Sequence, residues 1–373
     1  MASHPWAVIH ILHTVSDLLL LLLSLIAGAV VAQLAVPPLA ALCHRHGWLD
    51  QPSPRKPHPR ATPRLTGIAL YLAIWVPLAA ATVLAPTQMT EFSGHLLALW
   101  LGSLLVLALG ILDDVKPQTS VVKLSVQTVA GTLLFLSGLG FDRVWIPFVG
   151  GLPLGLFAWP VTILWFLVLA NAINIIDGLD GLAVSTTAIG TLTLIWVSWT
   201  INLPPVWVGA AALLGGLVIF WRYNKPPAKV FMGDSGSLSL GYFFAMMALF
   251  APIKRFTALA FFVPILALLL PLLEAGLSFG RRSLSGKNPL RGDVGHLHHQ
   301  LLAAGWSPHR ILVAYNLVAV VVGGFCVAFR YGNRRVLTLI LGIFVLSLLV
   351  SLGIILRRRT LGVGPTGQAT REG

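Results

Sequence analysis

The sequence has little charge. Asp, Glu, Lys and Arg together make up 10% of its 373 residues, against roughly 25% in an ordinary soluble domain. With 57% of the chain hydrophobic, a water-soluble fold is excluded and lipid is the expected solvent. Cysteine is nearly absent. Cys43 and Cys326 lie far apart at or inside apolar runs, and two residues cannot form a metal site alone. The chain also lacks internal repeats, a soluble appendage and a small-residue cleavage site after its first apolar run. That run is also too long for a signal-peptide core, so it is expected to be a retained helix.

What the sequence does have is long apolar runs. Leu18 to Leu42, Leu96 to Leu112 and Val336 to Leu356 approach or exceed the roughly 18 to 20 residues a spanning helix needs. Hydropathy and turn signals predict eleven spans near 18–42, 65–85, 95–112, 120–138, 155–172, 182–201, 206–221, 237–251, 257–279, 308–328 and 336–356. The expected fold is all-α, a polytopic transmembrane helical bundle of about 11 (10–11) spanning helices over 1–373 as a single integral membrane domain.

The net charge of +13 would suggest nucleic acid for a soluble protein, but here its distribution points to membrane orientation. Alternate loops hold nineteen and six of the 25 Lys and Arg. The richer side is expected to be cytoplasmic, with the N-terminus outside, the C-terminus inside, and no role for nucleic acid. On that side fall the loops near 43–64, 113–123, 171–181, 222–236 and 280–307. Seven of the twelve acids also gather there: Asp113, Asp114, Asp177, Asp180, Asp234, Glu274 and Asp293. Acids need not follow the orientation rule, so their convergence on one face points to chemistry.

Asp113 and Asp114 end the third expected span, where paired carboxylates can bind a divalent cation or hold a proton between them. They equally suit a helix stop and a cap for the next helix. Lys123 and Gln127 follow at i, i+4, so a cation and an amide can project back toward the acids; Lys123 alone also suits an interface anchor. Asn171, Asn174 and Asp177 sit at i, i+3, i+6 where the fifth span leaves the bilayer. They lead into Gly178, Asp180 and Gly181, and glycine there permits close approach to a ligand. A purely structural loop does not explain three polar residues on one stripe near the membrane.

Phe231-Met-Gly-Asp-Ser-Gly-Ser opens the eighth span, and an acid with small hydroxyls at a helix start is also what capping demands. A helix N-terminus is an anion site as well, and with Asp234 it can hold a metal with a diphosphate. Phe231 suits stacking on a base or anchoring at the interface. His296, His298 and His299 share one loop behind Arg281 and Arg282. Zinc is the rival reading, but arginines and oxygen-rich neighbouring motifs suit phosphate and magnesium better. A solvated basic loop has no need of imidazoles.

In this combination and order, over Leu49 to Leu301, the chain resembles the polyprenyl-phosphate N-acetylhexosamine-1-phosphate transferases, glycosyltransferase family 4. Arg55-Lys-Pro-His, Pro63, Gly67 and His-Leu-His-His look like the WecA and TagO branch rather than the related MraY branch of phospho-MurNAc-pentapeptide transferases. The resemblance implies Mg²⁺, with Mn²⁺ as its substitute, at Asn174 and Asp234. It implies catalytic roles for Asp113, Asp114, Lys123, His296, His298 and His299, with Asp113 the base acting on the lipid phosphate. Substrate binding would fall to Lys56, Asn171, Asp177, Asp180, Asn224, Phe231 and Arg282, with Asn224 and Phe231 at the uracil. Two departures are Glu274, where the family pattern has aspartate, and Thr66, in place of the first of paired glycines.

The implied reaction transfers N-acetylhexosamine 1-phosphate, GlcNAc 1-phosphate by default, from a UDP-HexNAc to undecaprenyl phosphate, releasing UMP. It would start a cell-envelope glycan, such as O-antigen, lipopolysaccharide or teichoic acid, at the bacterial inner membrane. A homodimer is left open, and a pentapeptide-branch transferase is the alternative. A transporter or flippase is the rival from another class, but transporter sites lie near the bilayer midplane, whereas these acids sit at one face.

Overall fold

Runs of Leu, Val, Ile and Ala broken by Gly, Pro and short polar turns fold as helices, because in lipid every backbone N–H and C=O must be satisfied within its segment. A computed structural model of the chain describes residues 5–52, 60–146, 150–250, 296–332 and 336–347, with isolated positions between 269 and 276 and at 349. The helices are α1 (Pro5–His46), α2 (Ile68–Leu84), α3 (Thr90–Ser93), α4 (Leu96–Val115), α5 (Ser120–Leu136), α6 (Ala158–Ile176), α7 (Leu182–Thr200), α8 (Pro204–Asn224), α9 (Gly233–Phe250), α10 (Leu297–Ala303) and α11 (Pro308–Tyr331), followed by α12 (Val336–Ser347). Among the described residues, strands are confined to two short antiparallel pairs. β1 (Leu49–Asp50) pairs with β2 (Thr62–Pro63), and β3 (Arg143–Ile146) with β4 (Gly150–Pro153).

Seven described helices are long and apolar enough to cross a membrane, so the chain is a multi-pass membrane protein. α5 and α12 occupy two further expected ranges but are shorter. Most of the expected span at 257–279 lies outside the described residues. α9 is also absent from the seven, which were sought among the described residues, and these stop at its printed end, Phe250. Every residue from Ser235 to Phe250 is buried, so its serines and glycines meet neighbouring helices rather than lipid and need no apolar outer face.

α9 packs against α4, α6 and α2, while α8 packs against α1, α2 and α7. Small residues allow the closest approaches. A Cβ added at Gly28 of α1 would overlap the Ala212 carbonyl of α8, and one at Gly215 of α8 would overlap the Leu25 carbonyl of α1. Polar caps set several helix starts. Thr119 accepts the Val122 N–H at 3.4 Å to open α5, and Ser307 accepts the Arg310 N–H at 3.3 Å to open α11, with Pro308 in its first turn. Antiparallel succession then brings the ends of α4, α6 and α8 beside the starts of α5, α7 and α9 at one end of the bundle.

Candidate active site

Three helices deliver one charged cluster at that end. Asp113 lies in the last turn of α4, Lys123 in the first turn of α5 and Asp234 in the first turn of α9. The Lys123 ammonium stands 2.7 Å from Asp113 Oδ2 and 2.5 Å from Asp234 Oδ2. All three side chains are largely withdrawn from water, so their attraction is screened less than at a surface. Asp113 Oδ1 also accepts the Gln118 N–H at 2.7 Å, which fixes its carboxylate toward the turn into α5.

Asp114, one residue on, turns to a different task. The first N–H groups of a helix have no intrahelical acceptor. Two of those opening α9, on Asp234 and Ser235, donate to Asp114 Oδ1 and Oδ2 at 2.8 and 3.0 Å. The expected cap thus falls on α9 rather than on α5, and it comes from α4 rather than from Asp234, whose own carboxylate goes to Lys123. Arg64 approaches both Asp114 and Asp50 at 3.8 Å. Gly233 adopts a φ of +66°, and an added Cβ would strike the Asp114 carboxylate and the Arg64 carbonyl.

The stretch before α2 is stitched to the stretch before α9. Phe231 N donates to Pro63 O at 2.8 Å, Gly67 N to Met232 O at 3.1 Å and Thr66 Oγ1 to Phe231 O at 2.7 Å. Thr66, a departure from the family pattern, therefore supplies a bond that glycine cannot. Phe231 itself is half-buried at the mouth of this segment.

The polar residues of α6 fan out rather than forming one stripe, because each three-residue step turns about 60° short of a full circle. Asn171 faces α5 and donates from Nδ2 to Gln127 Oε1 at 2.8 Å. Gln127, expected to point with Lys123 at the acids, is fully buried against Asn171 instead. Asn174 faces α9, donating to Ser237 Oγ, three residues on from Asp234, at 2.9 Å. Asp177 follows just beyond α6. Burial, and then the negative charges of Asp234 and Asp114, push its carboxyl well above the ordinary carboxylate range, with Arg64 opposing.

The next turn is tied to the loop between α8 and α9. Asp180 Oδ2 accepts the Ala228 N–H at 2.9 Å. Asn224, nearly fully buried, accepts the Gly181 N–H at 3.1 Å and donates to Val230 O at 2.9 Å. Its amide, expected at a base, is thus used within the fold. His298 is buried against Gly178, where an added Cβ would meet its imidazole. The His298 and His299 ring centroids are 4.3 Å apart, and those of His296 and His298 are 5.9 Å apart. Lys56, Arg282 and Glu274 lie outside the described residues.

Sequence reasoning missed Arg64, Ser237 and the Ala228 N–H as partners of the site. Arg64 counted only as one more positive charge, since no spacing along the chain reveals its approach to Asp114. Among the described residues, no group of three His, Cys, Asp or Glu side chains is placed to hold a metal. The cluster offers a cation two carboxylates already converging on one positive nitrogen, with Asn174 beside Asp234. So small a hard-oxygen set fits magnesium, which keeps several waters and is usually held by one or two carboxylates together with substrate phosphates.

Fold and site together define a polytopic membrane protein with an acid and amide cluster built from several helix ends. A sequence profile described as glycosyl transferase family 4 matches residues 96–251. The chain is 30% identical over 332 residues to a Bacillus subtilis protein named "Probable undecaprenyl-phosphate N-acetylglucosaminyl 1-phosphate transferase", spanning 88% of this chain and 89% of that one. It is also 30% identical over 359 residues to the decaprenyl-phosphate N-acetylglucosaminephosphotransferase of Mycobacterium tuberculosis, covering 89% and 88% of the two chains. A phospho-N-acetylmuramoyl-pentapeptide-transferase of Clostridium perfringens is 36% identical over 182 residues, covering 48% of this chain and 54% of that one. The chain belongs to glycosyl transferase family 4.

Proposed function

We propose that this protein transfers N-acetylhexosamine 1-phosphate, GlcNAc 1-phosphate by default, from a UDP-sugar to a polyprenyl phosphate such as undecaprenyl phosphate, releasing UMP. The observation that carries this reading is the meeting of Asp113, Lys123 and Asp234 from three helices at one end of the bundle. The names of the two relatives matched over nearly their whole length support both halves of the substrate pair. The pentapeptide-branch relative matches only about half of either chain. The surplus of Lys and Arg in loops at this end supports a cytoplasmic site on a bacterial inner membrane.

In the reaction, an oxygen of the lipid phosphate bonds to the β-phosphorus of the UDP-sugar. The bond from that phosphorus to the oxygen of the α-phosphate breaks, and UMP leaves. Asp113 removes the proton of the lipid phosphate or orients that phosphate. Lys123, between the two acids, balances charge that spreads over the phosphoryl oxygens. Asp234 and Asn174 would hold magnesium, whose chemistry is to neutralise the diphosphate. Asp177, Asp180 and Phe231 frame the nucleotide side, and the imidazoles of His296, His298 and His299 stand beside the α6–α7 turn.

The test is UMP release by the purified protein in detergent, with undecaprenyl phosphate and a panel of UDP-sugars, with and without magnesium. The expected result is magnesium-dependent release with UDP-GlcNAc or a close UDP-HexNAc. Turnover of the MurNAc-pentapeptide nucleotide with none of any UDP-HexNAc would overturn the choice of sugar, and no UMP from any donor would overturn the reaction. For orientation, Cys43 and Cys326 are replaced and a cysteine is inserted after Arg359. It should resist impermeant thiol reagents in intact cells, whereas rapid labelling would place that end outside.

A further inference from the structure

We infer that Asp114 is a positioning residue that seats Asp234 and Phe231 for the nucleotide, and that the two acids of the Asp113–Asp114 pair divide the work between the two substrates. This rests on the reaction proposed above. The family resemblance implies catalytic roles for both acids of the pair, but successive residues of a helix point about 100° apart. Asp113 turns to the Lys123 ammonium, while Asp114 turns to the backbone of α9.

Both Asp114 oxygens are engaged there, by the Asp234 and Ser235 N–H groups. Its side chain is 0% exposed, and Arg64 stands 3.8 Å away. That leaves it no open face toward a substrate. The bond to the Asp234 N–H fixes the backbone from which the Asp234 carboxylate reaches Lys123. The left-handed Gly233 lets the chain turn into α9 directly against Asp114. Just before it, Phe231 and Met232 are stitched to Pro63, Thr66 and Gly67, so any shift of the α9 start is passed to Phe231. Asp114 therefore acts on the nucleotide side through two other residues, and Asp113 on the lipid side directly.

The experiment uses the full-length protein in detergent and compares Asp114→Asn with Asp113→Asn. In the carboxylate each oxygen takes one N–H; the amide keeps one of those oxygens and puts an NH2 donor in place of the other, so one opening donor of α9 faces a donor instead of an acceptor. The dissociation constant for UDP-GlcNAc with magnesium should rise about 10- to 100-fold in Asp114→Asn, the range for losing a buried charge-assisted bond. The KM for undecaprenyl phosphate should stay within about twofold of wild type. Gly233→Ala, which crowds the same carboxylate without touching its charge, should show the same pattern. Unchanged nucleotide binding with a raised lipid KM in folded Asp114→Asn would overturn the inference, and so would a loss of thermal stability with both constants unchanged.

Should neither variant fold, hydrogen exchange on the wild type decides. The Asp234 and Ser235 amides should exchange far more slowly than uncapped first-turn amides, and free exchange would overturn the inference. Wild type supplies the control for the underlying reaction. If it releases no UMP from any UDP-sugar, the proposed reaction fails; if it turns over while Asp114→Asn binds nucleotide normally, only the division of roles fails.

Discussion

Among the helix contacts close enough to need glycine, two make an instructive contrast. Between α1 and α8, Gly28 and Gly215 each lie against a carbonyl of the other helix, and the polar contact across the seam is the neutral bond from Gln33 Nε2 to Tyr223 Oη at 3.1 Å. Between α4 and α9, Gly110 lies against Asp234 and Ser235. One turn further along α4, that seam ends in Asp113 and Asp114, facing a lysine and two helix N–H groups. Close backbone approach holds helices together in both places, but only where it coincides with helix ends does it also bring charges within bonding distance. Helix ends leave backbone donors and acceptors unpaired, and they lie where polar residues escape the hydrocarbon.

The largest effect should come from splitting the charged seam. Asp113→Asn should lower turnover by roughly 10²- to 10⁴-fold while magnesium-dependent UDP-sugar binding survives. Asp234→Asn should lose that binding together with turnover, and excess magnesium should restore part of it. Calorimetry with and without magnesium on both folded variants is the measurement. If Asp234→Asn bound like wild type while Asp113→Asn did not, the two roles would be exchanged.

A middle-sized effect should come from overfilling the α1–α8 seam. Gly28→Leu forces a side chain into the α8 backbone, and overpacking of this kind costs about 1–3 kcal/mol. Thermal unfolding in detergent should shift down while the KM values of the folded fraction stay unchanged. Gly110→Leu, in the charged seam, should lower both stability and nucleotide affinity. Equal kinetic damage from the two substitutions would erase the distinction between the seams.

The smallest effect concerns pH. Burial and neighbouring acids raise the Asp177 carboxyl well above its ordinary value, near 3.9 in an unfolded chain. A raised folded value means that folding favours the protonated form. Relative to the ionised group, that preference is fully present below the unfolded value and is lost as pH rises through the folded one. Asp177→Asn should therefore melt like wild type at low pH but higher than wild type at pH 8, with magnesium and nucleotide absent. A gap that shrinks with rising pH would show that Asp177 is held ionised instead.

Much of the candidate site was legible in the sequence as sets of residues, and much less of it as pairs. The convergence of acids on one side, the amides of Asn171 and Asn174, and the Asp234 segment all showed as polar residues that an apolar chain would otherwise avoid. The spacing of Lys123 and Gln127 correctly placed them on one face of α5. It did not reveal that Gln127 meets Asn171 one turn deeper, because α6 lies beside α5 at that level and the acids do not. Asn224 was expected at the uracil, and its bonds to Gly181 N–H and Val230 O depend on how two loops close on each other. For Lys56, Arg282 and Glu274, the sequence reading stands alone.

By itself the sequence determined the solvent, the helical character and the side on which charge gathers. These follow from composition and from patterns a few residues long, and they hold whichever way the helices pack. Only the tertiary structure decided that Lys123 binds an acid 111 residues away, or that Asp114 caps a helix 120 residues on. Such partners are fixed by which helices can approach through glycine and which ends then coincide. That is settled by packing across the bundle, where distance along the chain has no bearing on distance in space.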